Sequence, residues 1–180
     1  MKKLITVIFA ALLIAGMVLS AAAEDFTYTP LKKCKMCHMP KKIGSQYKVW
    51  AAGPHAGAFE TLKNEQSAAI AKDMGIEDPT TDPFCLKCHT TGYGEGGLPE
   101  GILAESGVGC QSCHGPGSAY FPKKVMNGLA DGSIEPASVG LAVIEEATCT
   151  VCHNEESPTF KGFDYAERVK EVAHPVPVAE

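Results

Sequence analysis

Cys34-Lys35-Met36-Cys37-His38 is the first of four copies of one pentapeptide, in which histidine directly follows the second of two cysteines. Two side chains three positions apart lie on the same side of a helical turn, so each copy predicts a short helix that presents two thiols and an imidazole together. The copies use all eight cysteines of the 180-residue chain. The other three are Cys85-Leu86-Lys87-Cys88-His89, Cys110-Gln111-Ser112-Cys113-His114 and Cys149-Thr150-Val151-Cys152-His153.

Cys-x-x-Cys-His is the attachment signature of c-type haem. The two thiols form thioethers with the vinyl groups on one porphyrin edge, and the adjacent imidazole takes an axial position on the iron. We therefore predict four covalently bound haem c groups, one for each pentapeptide. The predicted attachment residues are Cys34, Cys37, Cys85, Cys88, Cys110, Cys113, Cys149 and Cys152. The predicted proximal iron ligands are His38, His89, His114 and His153.

Other chemistry is open to paired cysteines. They bind zinc in many proteins, act as redox dithiols, or form disulfides in exported chains. None of these alternatives explains why a histidine follows every pair, and therefore haem is favoured.

The N-terminus predicts export. Lys2 and Lys3 precede an apolar run that extends to Leu19, and the small residues 21–23 form a cleavage site. We expect residues 1–23 to be a cleaved signal peptide and the mature chain to be periplasmic. An uncleaved anchor is the alternative, since about 20 apolar residues can span a bilayer.

The mature chain predicts a mainly α fold with long loops and little or no β structure. Residues 24–180 leave 157 residues (180 − 23) for four haems, which suits one compact domain wrapped around its cofactors. We expect the apoprotein to be largely unfolded. Individual helices are predicted over Ala56–Met74, from Asp82-Pro83 into the second motif, over 139–153 and over Asp164–Ala173.

Charge is unevenly distributed. The segment between Phe26 and Phe59 contains six lysines and no acidic residue, whereas the rest of the mature chain has 8 basic and 21 acidic residues, a net charge of −13. Solvated lysines that balance haem propionates would explain this segment. A basic surface near the first haem that docks an acidic redox partner is the second interpretation. So acidic a protein is not expected to bind nucleic acid.

Two histidines lie outside the motifs, His55 and His174, and we predict that both are distal iron ligands. Six histidines allow at most two of the four irons to have two histidine ligands. The other two irons would be bound by methionine, bound by another group, or open. Met74 and Met126 are the candidate methionines.

The chain resembles the cytochrome c-554 family, a tetrahaem group that includes the electron acceptor of hydroxylamine oxidoreductase in nitrifying bacteria. The resemblance covers nearly the whole mature chain. It rests on Trp50, Pro54-His55-Ala56, Phe59, Thr90-Thr91-Gly92-Tyr93 after the second motif, Gly107-Val108-Gly109, Gly115-Pro116-Gly117-Ser118 and Ala173-His174-Pro175-Val176.

The resemblance implies a mostly helical, single-domain multihaem cytochrome c, a monomer with closely spaced haems. It also implies that His55 and His174 are distal ligands, that His174 serves the first haem, and that one haem is five-coordinate. Family members often carry another histidine after the Gly-Pro-Gly-Ser sequence. This chain has Ala119-Tyr120-Phe121 there, so the family's coordination pattern cannot be transferred whole.

These features favour a periplasmic electron carrier that serves redox partner proteins and has no catalytic residues of its own. One alternative is an oxidoreductase that binds nitric oxide, nitrite or hydroxylamine at an open iron. Another is a haem filament in which the basic face of one chain meets the acidic face of the next.

Overall fold

Short helices alternate with long loops through residues 26–176, the part of the chain that the computed structural model describes. This part contains eight α-helices, and its β pairing is limited to an isolated bridge between Gly94 and Gly97. The prediction of a mainly α fold with long loops is confirmed. The helices are α1 (Leu31–His38), α2 (Gln46–Ala52), α3 (Glu65–Asp73), α4 (Pro83–His89), α5 (Cys110–His114), α6 (Lys123–Ala130), α7 (Glu146–Thr150) and α8 (Tyr165–Val172).

The first three pentapeptides end the helices that carry them. α1, α4 and α5 each end at the motif histidine. α7 ends at Thr150 and leaves His153 in the following turn. The predicted start of α4 is confirmed. The Asp82 carboxylate accepts a hydrogen bond from the Phe84 amide at 2.8 Å, and Pro83 occupies the first helical position.

The single helix predicted over Ala56–Met74 is wrong. The segment forms 3-10 turns at Pro54–Gly57 and Glu60–Lys63, and α3 begins only after Asn64. Asn64 has an extended backbone (φ −87°, ψ 166°), and its side chain accepts a hydrogen bond from the Ser67 amide. The asparagine side chain therefore starts a new helix instead of continuing the preceding one.

The helix predicted over 139–153 is shorter than expected. Gly140 has a positive φ of 73°, which stops any helix from passing through it, and α7 begins after the reciprocal cap between Glu145 and Thr148. The last predicted helix is confirmed as α8. Its N-terminal cap is the Asp164 side chain, which accepts a hydrogen bond from the Glu167 amide at 3.2 Å.

Few apolar side chains are buried in the described residues. A small cluster contains Phe59, Leu62 and Leu86. The other buried apolar side chains are Ala71, Ile102 and Tyr120. A polypeptide core of this size is small for about 150 residues, in keeping with the expectation that the cofactors supply much of the buried surface.

The signal peptide predicted at 1–23 lies outside the described residues. Within residues 26–176, every helix is too short or too polar to cross a membrane.

Candidate cofactor-binding site

The rings of His55 and His153 lie close together, with their centroids 6.0 Å apart and their planes tilted by 53°. His55 lies on the 3-10 turn Pro54–Gly57, and His153 ends the fourth pentapeptide. Burial, reinforced by the nearby His153 ring, lowers the pKa of His55. A lowered pKa keeps the imidazole neutral, which is the form that binds metal ions.

His114 and His174 form a second pair, with ring centroids 5.8 Å apart. His114 ends the third pentapeptide, and His174 follows α8. Burial, followed by the nearby His174 and His38, lowers the pKa of His114. Nδ1 of His174 is buried and has no hydrogen-bond partner within the described residues.

Both pairs have the spacing that an iron between two imidazoles requires. Metal–nitrogen bonds of about 2 Å on each side separate the two ring centroids by roughly 6 Å. The buried Nδ1 of His174 has no partner within the described residues, and metal binding through that atom would account for it. The residues present therefore fit an iron with two histidine ligands at each of these pairs.

His38 and His89 are held differently, because their Nδ1 atoms bond to acceptors of the protein. Nδ1 of His38 is 3.3 Å from the Gln46 Oε1, and Nδ1 of His89 is 2.7 Å from the Ala58 carbonyl oxygen. A proton on Nδ1 leaves Nε2 free to bind a metal. Within the described residues, neither ring packs against a second imidazole.

The cysteines show how the four motifs lie relative to one another. Hydrogen bonding with the Cys110 thiol lowers the pKa of Cys34 to about 7. A similar bond with Cys152 lowers the pKa of Cys88 to about 7. The first motif therefore lies beside the third, and the second beside the fourth.

The third and fourth motifs are also neighbours. Burial, followed by the nearby Cys149 thiol, raises the pKa of Cys113. The spatial order of the motifs is accordingly first, third, fourth and second, which differs from their order along the chain.

The turn that carries His55 is held by the loop before the third motif. The Val108 amide donates to the His55 carbonyl at 3.0 Å, and Trp50 Nε1 donates to the Val108 carbonyl at 2.9 Å. Gly107 (φ +62°) makes this close packing possible, because a Cβ there would lie 2.6 Å from the His55 carbonyl oxygen. Backbone packing thus fixes the position of His55.

Gln111 is a buried polar residue that was not predicted to have a role. Its Oε1 accepts from the amides of Thr29 (2.9 Å) and Gly117 (2.7 Å), and its Nε2 donates to the Thr29 carbonyl at 2.6 Å. This one side chain joins the N-terminal segment, the third motif and the Gly-Pro-Gly-Ser loop. Its position inside a pentapeptide gives no signal of that role.

Phe163 also escaped the sequence-based prediction. Its ring stacks on His153 with a centroid distance of 4.8 Å and an interplanar angle of 17°. Phe163 lies in the loop before α8, and its stacked ring restricts the orientation of the His153 imidazole.

The remaining predicted ligands occupy mixed environments. Met74 is exposed at the end of α3, and Met126 is half-buried on α6. The resemblance implied that His174 serves the first haem, and that assignment stays a prediction. The His174 ring lies 5.8 Å from the His114 ring of the third motif.

The six lysines between Phe26 and Phe59 are mostly solvent-exposed. Lys33 is half-buried and lies 4.1 Å from the centroid of the Phe121 ring. The exposed members of the group, which we call the basic surface, are Lys32, Lys35, Lys41, Lys42 and Lys48.

Four thiol–thiol–imidazole motifs that lie near one another, together with two close imidazole pairs, define a multihaem c-type cytochrome. Residues 33–115 match the family model described as cytochrome c554 and c-prime. The chain is 34% identical over 156 residues to cytochrome c-554 of Nitrosomonas europaea, an alignment that covers 78% of this chain and 63% of that protein.

A solved structure of cytochrome c554 from Nitrosomonas europaea, in its reduced state, has a similar fold. The TM-score is 0.55 at 29% sequence identity, with 82% of this chain and 78% of that one covered. The chain belongs to the cytochrome c-554 family, as its sequence predicted, and its cofactors are four covalently bound haem c groups. It spans 63% of the length of the curated relative that it matches.

Proposed function

We propose that this chain is an exported electron carrier and not an enzyme. The observation that carries the proposal is the pair of close imidazole contacts, His55 with His153 and His114 with His174, because an iron with two histidine ligands has no position left for a substrate and serves electron transfer alone. The enzymatic alternative would need the irons at His38 or His89. Such an iron, when bound, supplies a one-electron couple between its ferric and ferrous states. The relative's name, cytochrome c-554, supports the same role.

The attachment and ligand residues follow from the motifs and the imidazole pairs. The cysteines of each pentapeptide would form the thioethers, and the histidine that ends each pentapeptide would be the proximal ligand. His55 would be the distal ligand opposite His153, and His174 the one opposite His114. The irons at His38 and His89 would then lack a second histidine.

The order of the motifs in space supports transfer between neighbouring sites. The thiols of the first and third motifs interact, as do those of the second and fourth, and Cys113 lies near Cys149. Electrons that enter near the first or the second motif would therefore be able to pass through neighbouring haem sites to the other end of the series. The chain's contribution is to hold the four motifs in this order.

We also propose that residues 1–23 are removed on export and that the mature chain, residues 24–180, works in the periplasm. The charged start, apolar run and small-residue cleavage site support this proposal. Covalent haem attachment also occurs on the exported side of bacterial membranes, as the motifs require.

The basic surface is the proposed docking site for an acidic redox partner. Its five exposed lysines lie on or beside α1 and α2, next to the first motif. The rest of the mature chain is acidic, so an acidic partner would be attracted to this surface and repelled by the remainder. Docking there would place the partner close to the first haem.

Low-temperature electron paramagnetic resonance of the oxidised holoprotein tests the ligand assignment. We expect low-spin signals from two irons with two histidine ligands and a different signature from the other two. A reductive titration should consume four electrons per chain. Four bis-histidine signals would contradict the assignment.

Exposure to nitric oxide or cyanide then tests the carrier role against the enzymatic alternative. A carrier should return to its starting spectrum and consume none of the added ligand over many reduction cycles. Steady turnover of nitric oxide, nitrite or hydroxylamine would overturn the proposal.

A further inference from the structure

The side chain of Gln46 connects two of the proposed iron sites. Its Oε1 is 3.3 Å from Nδ1 of His38, the histidine of the first motif. Its Nε2 donates to the carbonyl of Pro175 at 3.2 Å and to the carbonyl of Ile43. Pro175 directly follows His174, whose ring faces His114 of the third motif.

The orientation of the Gln46 amide follows from its partners. Two carbonyl oxygens require a donor, so the NH₂ group must face Ile43 and Pro175. The amide oxygen then faces His38 and can only accept, and so the proton must lie on Nδ1 of that imidazole. Nε2 of His38 is left free for iron.

The loop before Gln46 is shaped to allow this contact. Gly44 has φ +101°, and a Cβ there would lie 2.7 Å from the Pro175 carbonyl oxygen and 2.8 Å from the Gln46 Nε2. The next residue, Ser45, also has a positive φ of 51°, which is unusual for a residue other than glycine. Only glycine at position 44 permits the close approach of these three groups.

We infer that Gln46 is a positioning residue for two irons at once. It fixes the tautomer of His38 at the first motif, and it holds the segment that carries His174 so that this histidine stays opposite His114. The inference rests on the proposed ligand roles of His38 and His174. It makes the ligand geometry of the third haem depend on a residue at the first.

Gln46→Glu separates the two functions of the side chain. A carboxylate still accepts from His38, and more strongly, which makes the imidazole a more basic ligand and favours ferric iron. It has no proton to donate to Ile43 or Pro175, and it repels both carbonyl oxygens. The segment that carries His174 should therefore loosen.

The test uses the purified, haem-loaded protein and reads both sites independently of activity. His174→Ala should abolish one low-spin signal and so identify the iron that His174 serves. In the Gln46→Glu variant, we expect that same low-spin signal to decrease, with a matching gain of high-spin iron. One midpoint potential should also fall, by about 59 mV for each tenfold change in its one-electron equilibrium. Gly44→Ala should reproduce the spin change, because its Cβ would lie 2.7 Å from the Pro175 carbonyl oxygen.

Gln66→Glu, an exposed substitution on α3 with the same chemistry, is the matched control and should leave the spectrum unchanged. If His174→Ala removes no low-spin signal, the ligand assignment itself fails and the inference fails with it. If His174→Ala behaves as proposed but Gln46→Glu and Gly44→Ala leave that signal and all four potentials intact, only the role of Gln46 is overturned.

Discussion

The ring centroids of His55 and His153 lie 6.0 Å apart, although His55 is on the 3-10 turn Pro54–Gly57 and His153 ends the last pentapeptide. Each is held by a different part of the molecule. The Val108 amide bonds to the His55 backbone at 3.0 Å, whereas the Phe163 ring stacks on His153. Separate contacts therefore set the positions of the two histidines, and the iron that we propose between them would join these two parts of the chain.

His55→Ala should convert one low-spin haem to high spin, because the iron at His153 would lose its second ligand. Electron paramagnetic resonance of the holoprotein measures the change. Added imidazole should restore the low-spin signal, since it can enter the space that the side chain leaves. An unchanged spectrum would mean that His55 has only a structural role.

Gln111→Ala should lower the free energy of unfolding by at least about 2 kcal/mol. The change leaves the buried amides of Thr29 and Gly117 and the Thr29 carbonyl without partners, and each such loss costs roughly 1–3 kcal/mol, not fully additively. Denaturant titration of the holoprotein, followed by haem absorbance, measures the loss.

Gln66→Ala is the control for this experiment, because Gln66 is exposed on α3 and Gln111 is only 3% exposed. We expect Gln66→Ala to alter stability by less than about 0.5 kcal/mol. Equal losses of unfolding free energy in the two variants would show that the hydrogen bonds of Gln111 do not stabilise the fold.

Local features of this fold could be predicted from the sequence because they depend on neighbours in the chain. The cysteine and histidine spacing predicted the short helices of the first three motifs, and Asp82-Pro83 predicted the start of α4. Asp164 likewise predicted the start of α8. A capping side chain acts within three residues, so its effect is visible in sequence.

Features that depend on distant contacts could not be predicted. The sequence indicated that His55 and His174 were available as ligands, but their pairing with His153 and His114 depends on loops such as the one at Gly107. The helix expected over Ala56–Met74 is interrupted by the local cap at Asn64, which apolar spacing alone does not reveal. The bond from the Val108 amide to the His55 carbonyl, by contrast, joins the turn at Pro54–Gly57 to a distant loop. The spatial order of the motifs has the same origin.

Reversal of two charges, Lys41→Glu with Lys42→Glu, should slow reduction or oxidation by an acidic partner protein. Both lysines belong to the basic surface and are exposed. Long-range attraction accelerates association by tenfold or more in steered pairs, and salt weakens it. Stopped-flow rates at low ionic strength should therefore fall about tenfold and converge with the unaltered protein at high salt.

Lys72→Glu with Lys161→Glu is the matched control, since both lysines are exposed, lie outside the basic surface, and give the same change in net charge. We expect the control to slow the reaction much less. Equal slowing by the two double variants would show that net charge, and not the basic surface, governs docking.

Tyr120 should make the protein less stable in alkaline solution. The residue is 8% exposed, and its hydroxyl donates to the Gly115 carbonyl at 2.6 Å. Burial raises the pKa of Tyr120 in the folded state. In the unfolded chain a tyrosine has a pKa of about 10.

The sign of the effect follows from that difference. Below about pH 9 the phenol is neutral in both states, so the stabilisation from keeping it neutral is fully present. As the pH rises above about 10, the unfolded chain loses this proton and the folded protein keeps it. The free energy of unfolding should then fall by about 1.4 kcal/mol per pH unit until the folded-state pKa is reached.

Tyr120→Phe removes this dependence and leaves the other four tyrosines in place. At neutral pH the variant should be less stable by about 1 kcal/mol, because the bond to Gly115 is lost. The deficit should shrink and then reverse as the pH rises, since phenylalanine has no proton to lose. Thermal unfolding of both holoproteins between about pH 8 and pH 12, a range that spans the ordinary tyrosine pKa, measures the crossover. Parallel curves across that range would show that Tyr120 ionises as readily in the folded protein as in the unfolded chain.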